Sequence, residues 1–336
     1  MREFTLKTVL LYEYMDGSGF KREINYEFTP FSFEDIVNGC TIEIYPNFGV
    51  NIKGLVGETD NKALIKAYDI LEFVCRAITI ILQMQNYDNR EFQPNVSFKK
   101  SEVEIVSAKL LMDNNGVIRK KIENNIYLNV NEQISVHDGI AGMGISQGLD
   151  LSKVDLLYKS YFIGRITGFY IDTIFRALRS RDVESKYFTL FTIIERVETT
   201  FQKDDDLAKL LFNIEQQKSL LAKLKPQIAE MLSDDNQLSQ RVYNRLSQII
   251  TTSTIKTRTE KLCAILNDKF NIHDVCKGLM KFNVDNQKVK HFIDTRNGLF
   301  HGKNVEKNSH NELAQLTNEL LELCLKILEV EFEKNI

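Results

Sequence analysis

The sequence predicts an α+β fold: a mainly antiparallel sheet with one long helix, followed by an all-α bundle. Three patterns carry the prediction. Short aromatic and β-branched runs, broken by turn residues, fill the N-terminal part. One apolar repeat of helical period interrupts them between Asn61 and Gln85. From Leu151 onward the helical period dominates.

Phe4 to Tyr14 and Phe20 to Phe28 read as strands around a hairpin-type break at Asp16-Gly17-Ser18-Gly19. Cys40 to Tyr45 and Phe48 to Val56 form a second pair around Pro46-Asn47. In the helical repeat, Leu64, Tyr68, Leu71, Cys75, Ile78 and Leu82 share one face. Beyond Pro94 the strand pattern returns in Asn95 to Lys99, Glu102 to Met112, Val117 to Ile122 and Ile126 to Val130, with a tight turn at Asp113-Asn114-Asn115-Gly116. These elements define a domain at 1–138. Gly139, Gly142, Gly144 and Gly148 interrupt any period, so 139–150 reads as a linker. Gly142-x-Gly144 lacks the third glycine and the lysine of a phosphate-cradling loop.

The helical domain spans 151–336. Its predicted helices are Ser152 to Ser180, Val183 to Gln202, Leu207 to Leu232, Asn236 to Thr252, Thr259 to Phe270, Ile272 to Phe282, Asn286 to Phe300 and Asn311 to Glu333. Asp204-Asp205-Asp206 and Ser233-Asp234-Asp235-Asn236 supply N-caps. Pro226 should kink or end its helix. Leu313, Leu316, Leu320, Leu323 and Ile327 make an amphipathic stripe, read as core or dimer seam.

With 43% hydrophobic and 26% charged residues, the chain has an ordinary globular composition. Its formal charge of −3 gives no global sign of a polyanion partner, but Arg241 to Lys303 holds 12 Lys/Arg against 5 Asp/Glu. Such a stretch attracts a polyanion or forms solvated helix faces. The five cysteines are scattered and never in Cys-x-x-Cys spacing, which predicts no disulfide framework or zinc knuckle and suits a reducing cytosol. The N-terminus lacks the apolar run of a signal peptide, and the most apolar segment, around Ile78 to Leu82, is too short for a bilayer. The expectation is a cytoplasmic protein with no membrane association.

The chemistry concentrates in Arg296-Asn297-Gly298-Leu299-Phe300-His301. Asn297 and His301, at i and i+4, share a helix face that Arg296 flanks. Gly298 and Gly302 lower helix propensity enough to permit a bend. An arginine can hold phosphate oxygens in a bidentate fork, and a histidine can move a proton near neutral pH. The structural alternatives are a salt bridge from Arg296 to Asp294 or Glu195, and a His301 that only caps carbonyls. Glu195, a carboxylate amid apolar positions, either pairs with Arg296 or sits exposed beside Arg196 and Glu198.

The string Ile293 to Gly302, with its Arg, a polar residue and a His after four intervening positions, resembles the HEPN family and most closely its Apea-like branch. Phe188 to Glu198 resembles that branch's first long helix, with an acidic residue amid apolar ones. The resemblance covers about 183–333. It implies a HEPN-like bundle and metal-independent RNA cleavage without a cofactor. His301 would take a proton from a ribose 2′-hydroxyl, Arg296 would hold the scissile phosphate, and Asn297 would hold His301 or the phosphate, leaving a 2′,3′-cyclic phosphate and a 5′-hydroxyl. Glu195 would support Arg296, while Lys290, His291 and Lys303 would line the RNA groove. Because the family builds its groove from two motifs, the resemblance implies a homodimer through the helical domain. Its link to phage defence suggests a conditionally toxic RNase restrained by a regulatory protein or released by a phage trigger, and only through this resemblance a sensing or regulatory role for the domain at 1–138. Some members are regulated by modification of a Tyr just after the His, whereas here the sequence is His301-Gly302-Lys303-Asn304.

The other histidines form no set of three or four converging metal ligands. His273 stands at a predicted helix start, His310 in a polar stretch, and His137-Asp138 as a lone pair. Two other functions suit the sequence: a non-catalytic RNA-binding protein using the basic stretch, and a protein-interaction scaffold using the C-terminal helix.

Overall fold

The structure is a computed structural model that describes residues 1–15, 26–85, 93–111, 122–123, 147–148, 150–163, 165–204, 207, 209–278, 280–301 and 309–334. The expected turns at 16–19 and 113–116, the strand at 126–130, the glycines at 139, 142 and 144, the His137-Asp138 pair, Asp205, Asp206, Gly302 and Lys303 lie outside the described residues. The fold is mixed α and β, with an N-terminal antiparallel sheet followed by helices. By contact it divides into two compact units. The first holds Met1–Leu190, Lys277–Met280 and His310–Ile336, and the second holds Phe191–Cys276 and Lys281–Ser309. The helical segment after residue 151 is thus shared between them.

The first unit is built on a sheet with strand order β4-β5-β6-β1-β8-β9. These strands are β1 (Arg2–Val9), β4 (Phe31–Asp35), β5 (Cys40–Ile44), β6 (Gly49–Gly57), β8 (Glu104–Leu110) and β9 (Ile122–Glu123), all paired antiparallel, while the short β3 (Tyr26–Glu27) and β10 (Gln147–Gly148) pair in parallel with each other. Period-two alternation sends Phe4, Leu6, Ile42, Ile44, Val50, Ile52 and Leu55 to the buried face. Gly54, at φ +81°, absorbs the register shift between β1 and β6 as a bulge. Helix α1 (Asp60–Gln85) packs on β6 and β7 (Gln93–Ser97), and α2 (Ser152–Ile163) and α3 (Arg165–Arg179) pack on α1. This explains why the second half of α1, from Phe73 to Gln83, is buried almost all round.

Several expectations change here. The run Phe4 to Tyr14 is two strands, because β1 pairs within the large sheet while β2 (Leu11–Met15) pairs with β7. Ser152 to Ser180 is two helices, α2 and α3. The leucine stripe of the C-terminal helix, α9 (Ser309–Glu333), is buried together with Leu321, Cys324, Leu325, Leu328 and Phe332. It is core of the first unit, which removes it as a free dimer seam.

α4 (Val183–Thr200) ends in the second unit, which also contains α5 (Ile214–Met231), α6 (Asn236–Thr252), α7 (Arg258–Ala264), a π-helical turn at Ile265–Lys269 and α8 (Asn286–Phe300). Leu262, Ile265, Leu266, Phe270, Val289 and Phe292 are among its core side chains. Pro226 lies inside α5, which continues through it to Met231. The predicted helix Ile272 to Phe282 is instead a hairpin, β11 (Asp274–Lys277) and β12 (Met280–Asn283). Gly278 takes φ +54° at the turn, and the Val284 N–H donates to the His273 carbonyl at 2.8 Å. The apolar spacing Ile272, Val275, Phe282 fits a helix in sequence, but Val275 and Phe282 enter the core from two antiparallel strands and Ile272 from the segment just before them.

Candidate functional site

Arg296 owes its position to α8. Asp285 caps this helix by accepting from the Lys288 N–H at 2.8 Å, and Val289, Phe292 and Ile293 form its buried stripe. Arg296 continues that stripe one turn later, so its stem lies against the core while its guanidinium reaches the rim. There it meets Glu195 of α4, with Nη2 and Oε1 2.9 Å apart. Arg296 Nη1 also makes a long 3.5 Å contact with Asn297 Oδ1. The guanidinium carbon stands 5.0 Å from the centre of the Phe300 ring, a cation–π distance.

α8 runs regularly through Gly298 to Phe300, and His301 is its C-cap. Gly298 permits a bend but the helix runs through it unbroken, and a methyl group there would meet no atom within 4 Å. The His301 backbone N–H donates to the Asn297 carbonyl at 3.1 Å. Asn297 thus holds His301 through its backbone, while its side chain faces Arg296. The His301 imidazole is exposed and stacks edge-on against Phe300, centroids 5.4 Å apart. Arg296 and His301 therefore flank one exposed aromatic ring, and the two ring distances added together bound the separation of guanidinium and imidazole.

The supporting residues are less tightly gathered. Lys290 is exposed and paired with Asp294 on its own helix. His291 lines a small cleft with Asn283, Asp285, Gln287 and Lys288. At 1.5 Å per residue, His291 lies about 7.5 Å and Lys290 about 9 Å along the axis from Arg296. His273 Nε2 is 3.2 Å from Asn271 Oδ1 at the entry to the hairpin, and His310 falls in the first turn of α9.

A second guanidinium stands beside the first, which the sequence reading did not select. Glu198, one turn after Glu195 on α4, holds Arg258 through two parallel bonds: Nε to Oε1 at 2.9 Å and Nη2 to Oε2 at 2.8 Å. Glu198 raises the Arg258 pKa above its ordinary value by this hydrogen bond. Arg258 opens α7 directly after Thr257, whose hydroxyl accepts from the Glu260 N–H while the Glu260 carboxylate accepts from the Thr257 N–H. Glu195, Glu198, Thr199, Gln202, Arg258 and Lys261 border a cleft of about 470 Å³ with an apolar floor that includes Phe201 and Ile265. The signal available in sequence was the Glu195-x-x-Glu198 spacing, which puts two carboxylates on one helix face.

All five thiols are free, and Cys276 alone among them is exposed. Among the described residues no helix is long and apolar enough to cross a membrane. No protein-family model, curated protein or solved structure matches this chain.

Proposed function

We propose that the chain is a cytosolic, metal-independent endoribonuclease of HEPN-like type that works as a homodimer and serves phage defence as a conditionally toxic effector. One observation carries the reading: Arg296, held at 2.9 Å by Glu195, and the exposed imidazole of His301 flank the same open ring of Phe300. An RNA backbone crossing that ring would place a phosphate on the guanidinium and its neighbouring 2′-hydroxyl at the imidazole. His301 takes the 2′-hydroxyl proton as the 2′ oxygen bonds to phosphorus and the bond from phosphorus to O5′ breaks. Arg296 stabilises the charge that builds on the phosphoryl oxygens. The 5′ oxygen leaves as a hydroxyl, protonated by the second imidazole of the dimer or by water. The N-terminal sheet unit restrains the activity until a trigger arrives.

The test is cleavage of labelled RNA in EDTA by wild type, Arg296→Ala and His301→Ala, with folding checked by circular dichroism. Activity in wild type alone, with 2′,3′-cyclic phosphate ends, supports the proposal. Equal activity in all three refutes it. A second reading, a non-catalytic RNA-binding scaffold, is favoured by one feature: among the described residues no side chain hydrogen-bonds the His301 ring to fix its tautomer. RNA binding without cleavage at any pH supports that reading.

A further inference from the structure

We infer that the helical hairpin α5–α6 is an RNA-docking arm that grips the phosphate backbone away from the Arg296 site; this rests on the reading above only in taking RNA as the ligand. The arm contributes little to the core. Of its two helices only Ile228 and Ile250 are buried, and each helix packs extensively on the other alone. Yet it is held firmly. Asn213 and Gln216 form a capping box at its start, and Asp235 caps α6 through the Gln237 and Leu238 amides. Its two ends are tied at the base, where Leu211 N–H donates to the Ser253 carbonyl at 2.8 Å and Ile255 N–H to the Lys209 carbonyl at 2.9 Å. An element that is ordered and braced but buries almost nothing is presented for its surface.

That surface is cationic. Lys218, Lys223 and Lys225 lie on α5 and Arg241 and Arg245 on α6, while no acidic residue occurs from 216 to 229 or from 236 to 259. Among the described residues none of these five cations is ion-paired. They contrast with Lys53, Lys153, Arg258 and Lys277, each of which holds a carboxylate. Arg241 and Arg245, at i and i+4, share the outer face of α6, and Lys218 and Lys225 share one flank of α5. Gln227, Gln237 and Gln248 add amide donors along the same arm. Carboxylates stand only at the base (Glu215) and around the tip (Glu230, Asp234 and Asp235), so the middle of the arm is a cationic, donor-rich rod that suits phosphate contacts that do not read sequence.

The charge also selects against other occupants. A second copy of the arm would bring like charges together. A lipid surface requires a continuous apolar face, whereas the exposed Ile214 and Ile249 sit at the base and Met231 and Leu238 at the tip, leaving the middle polar.

The experiment measures anisotropy of a 5′-labelled short single-stranded RNA bound to the full chain carrying His301→Ala, with and without K218Q/K223Q/R241Q/R245Q. Lys225 is left intact because its ammonium stands over the Tyr243 ring at 5.7 Å. The quadruple variant should keep its circular dichroism, lose at least about tenfold in low-salt affinity, and flatten the slope of log K against log salt by about 3, from four lost contacts at ~0.7 each. Unchanged affinity and slope would overturn the inference, as would wild-type binding to phosphatidylserine vesicles but not to RNA. Arm-dependent binding by a wild type that never cleaves would sink the nuclease and leave the arm standing. Cleavage unaffected by the same four changes made in the wild-type background would do the reverse.

Discussion

Buried Lys186 and Glu322 and the largely buried Lys277 come together in the first unit, and their signs do not balance. Lys277 donates to Glu322 at 2.8 Å and to the Gln83 carbonyl at 2.5 Å, while Lys186, only 7% exposed, has Glu322 as its charged neighbour. Burial pulls both lysines below their ordinary pKa and pushes Glu322 above its own, in each case more strongly than the neighbouring charge opposes it. Two substitutions should therefore move stability in opposite directions. Glu322→Gln leaves two buried ammonium groups uncompensated and should cost about 3–5 kcal/mol. Lys186→Met removes the unmatched charge, leaves the Lys277–Glu322 pair intact, and should be neutral or stabilising by about 1 kcal/mol. Urea unfolding followed by circular dichroism reads both. An ammonium with a depressed folded-state pKa binds fewer protons than in the unfolded chain between the two pKa values, so its stability deficit shrinks as pH rises. Glu322→Gln should accordingly recover stability as pH rises toward about 10, the unfolded lysine value. A Glu322→Gln chain within about 1 kcal/mol of wild type and flat across that range would refute the reasoning.

At the candidate site, Glu195→Gln removes the carboxylate that orients Arg296; kcat for RNA cleavage should fall about tenfold, or ~1.4 kcal/mol of transition-state stabilisation, with KM unchanged or lower. Arg258→Met breaks the two-pronged pair with Glu198, but solvent screens a pair that is 40% and 26% exposed, so urea unfolding should register no more than about 1 kcal/mol. Gly278→Ala forces an L side chain into φ +54° at the β11–β12 turn and should lower stability by about 1–2 kcal/mol in the same assay, whereas Gly298→Ala, in open space on α8, should not.

What the sequence made legible followed from local rules. Alternation found β5 and β6 and merged β1 with β2 in one longer run, and helical period found α1 and α8 to within a few residues. The Asp235 cap and the Arg296 motif could also be read locally. What it hid depends on partners distant in sequence. Strand β4 departs from the local rule at its end: Phe31 and Phe33 alternate with Ser32 and Glu34, but a carboxylate, Asp35, continues the inward face. Asp35 is nevertheless fully buried, accepting from the Val37 N–H at 2.8 Å and the Asn38 N–H at 3.1 Å in the turn that leads into β5. The 274–283 hairpin was read as helix because a positive φ at Gly278 leaves no trace in apolar spacing. Helices α5 and α6 were readable, but whether they pack in a bundle or stand exposed is decided by the base ladder at 209–211 and 253–255.

The two arginine–glutamate pairs on α4 make the same point about energy and geometry. Glu195 and Glu198 leave one face of a single helix, and each holds a guanidinium from a different helix, α8 and α7. All four side chains are at least a quarter exposed, so neither pair contributes much to folding free energy. Their effect is orientation. A free arginine side chain samples many rotamers, whereas a paired one presents its planar fork in a fixed direction, so less entropy is lost when a phosphate arrives. The same carboxylate opposes an incoming anion, so the arrangement exchanges affinity for alignment. That exchange suits a site whose demand is a correctly placed transition state more than a tightly held ground state.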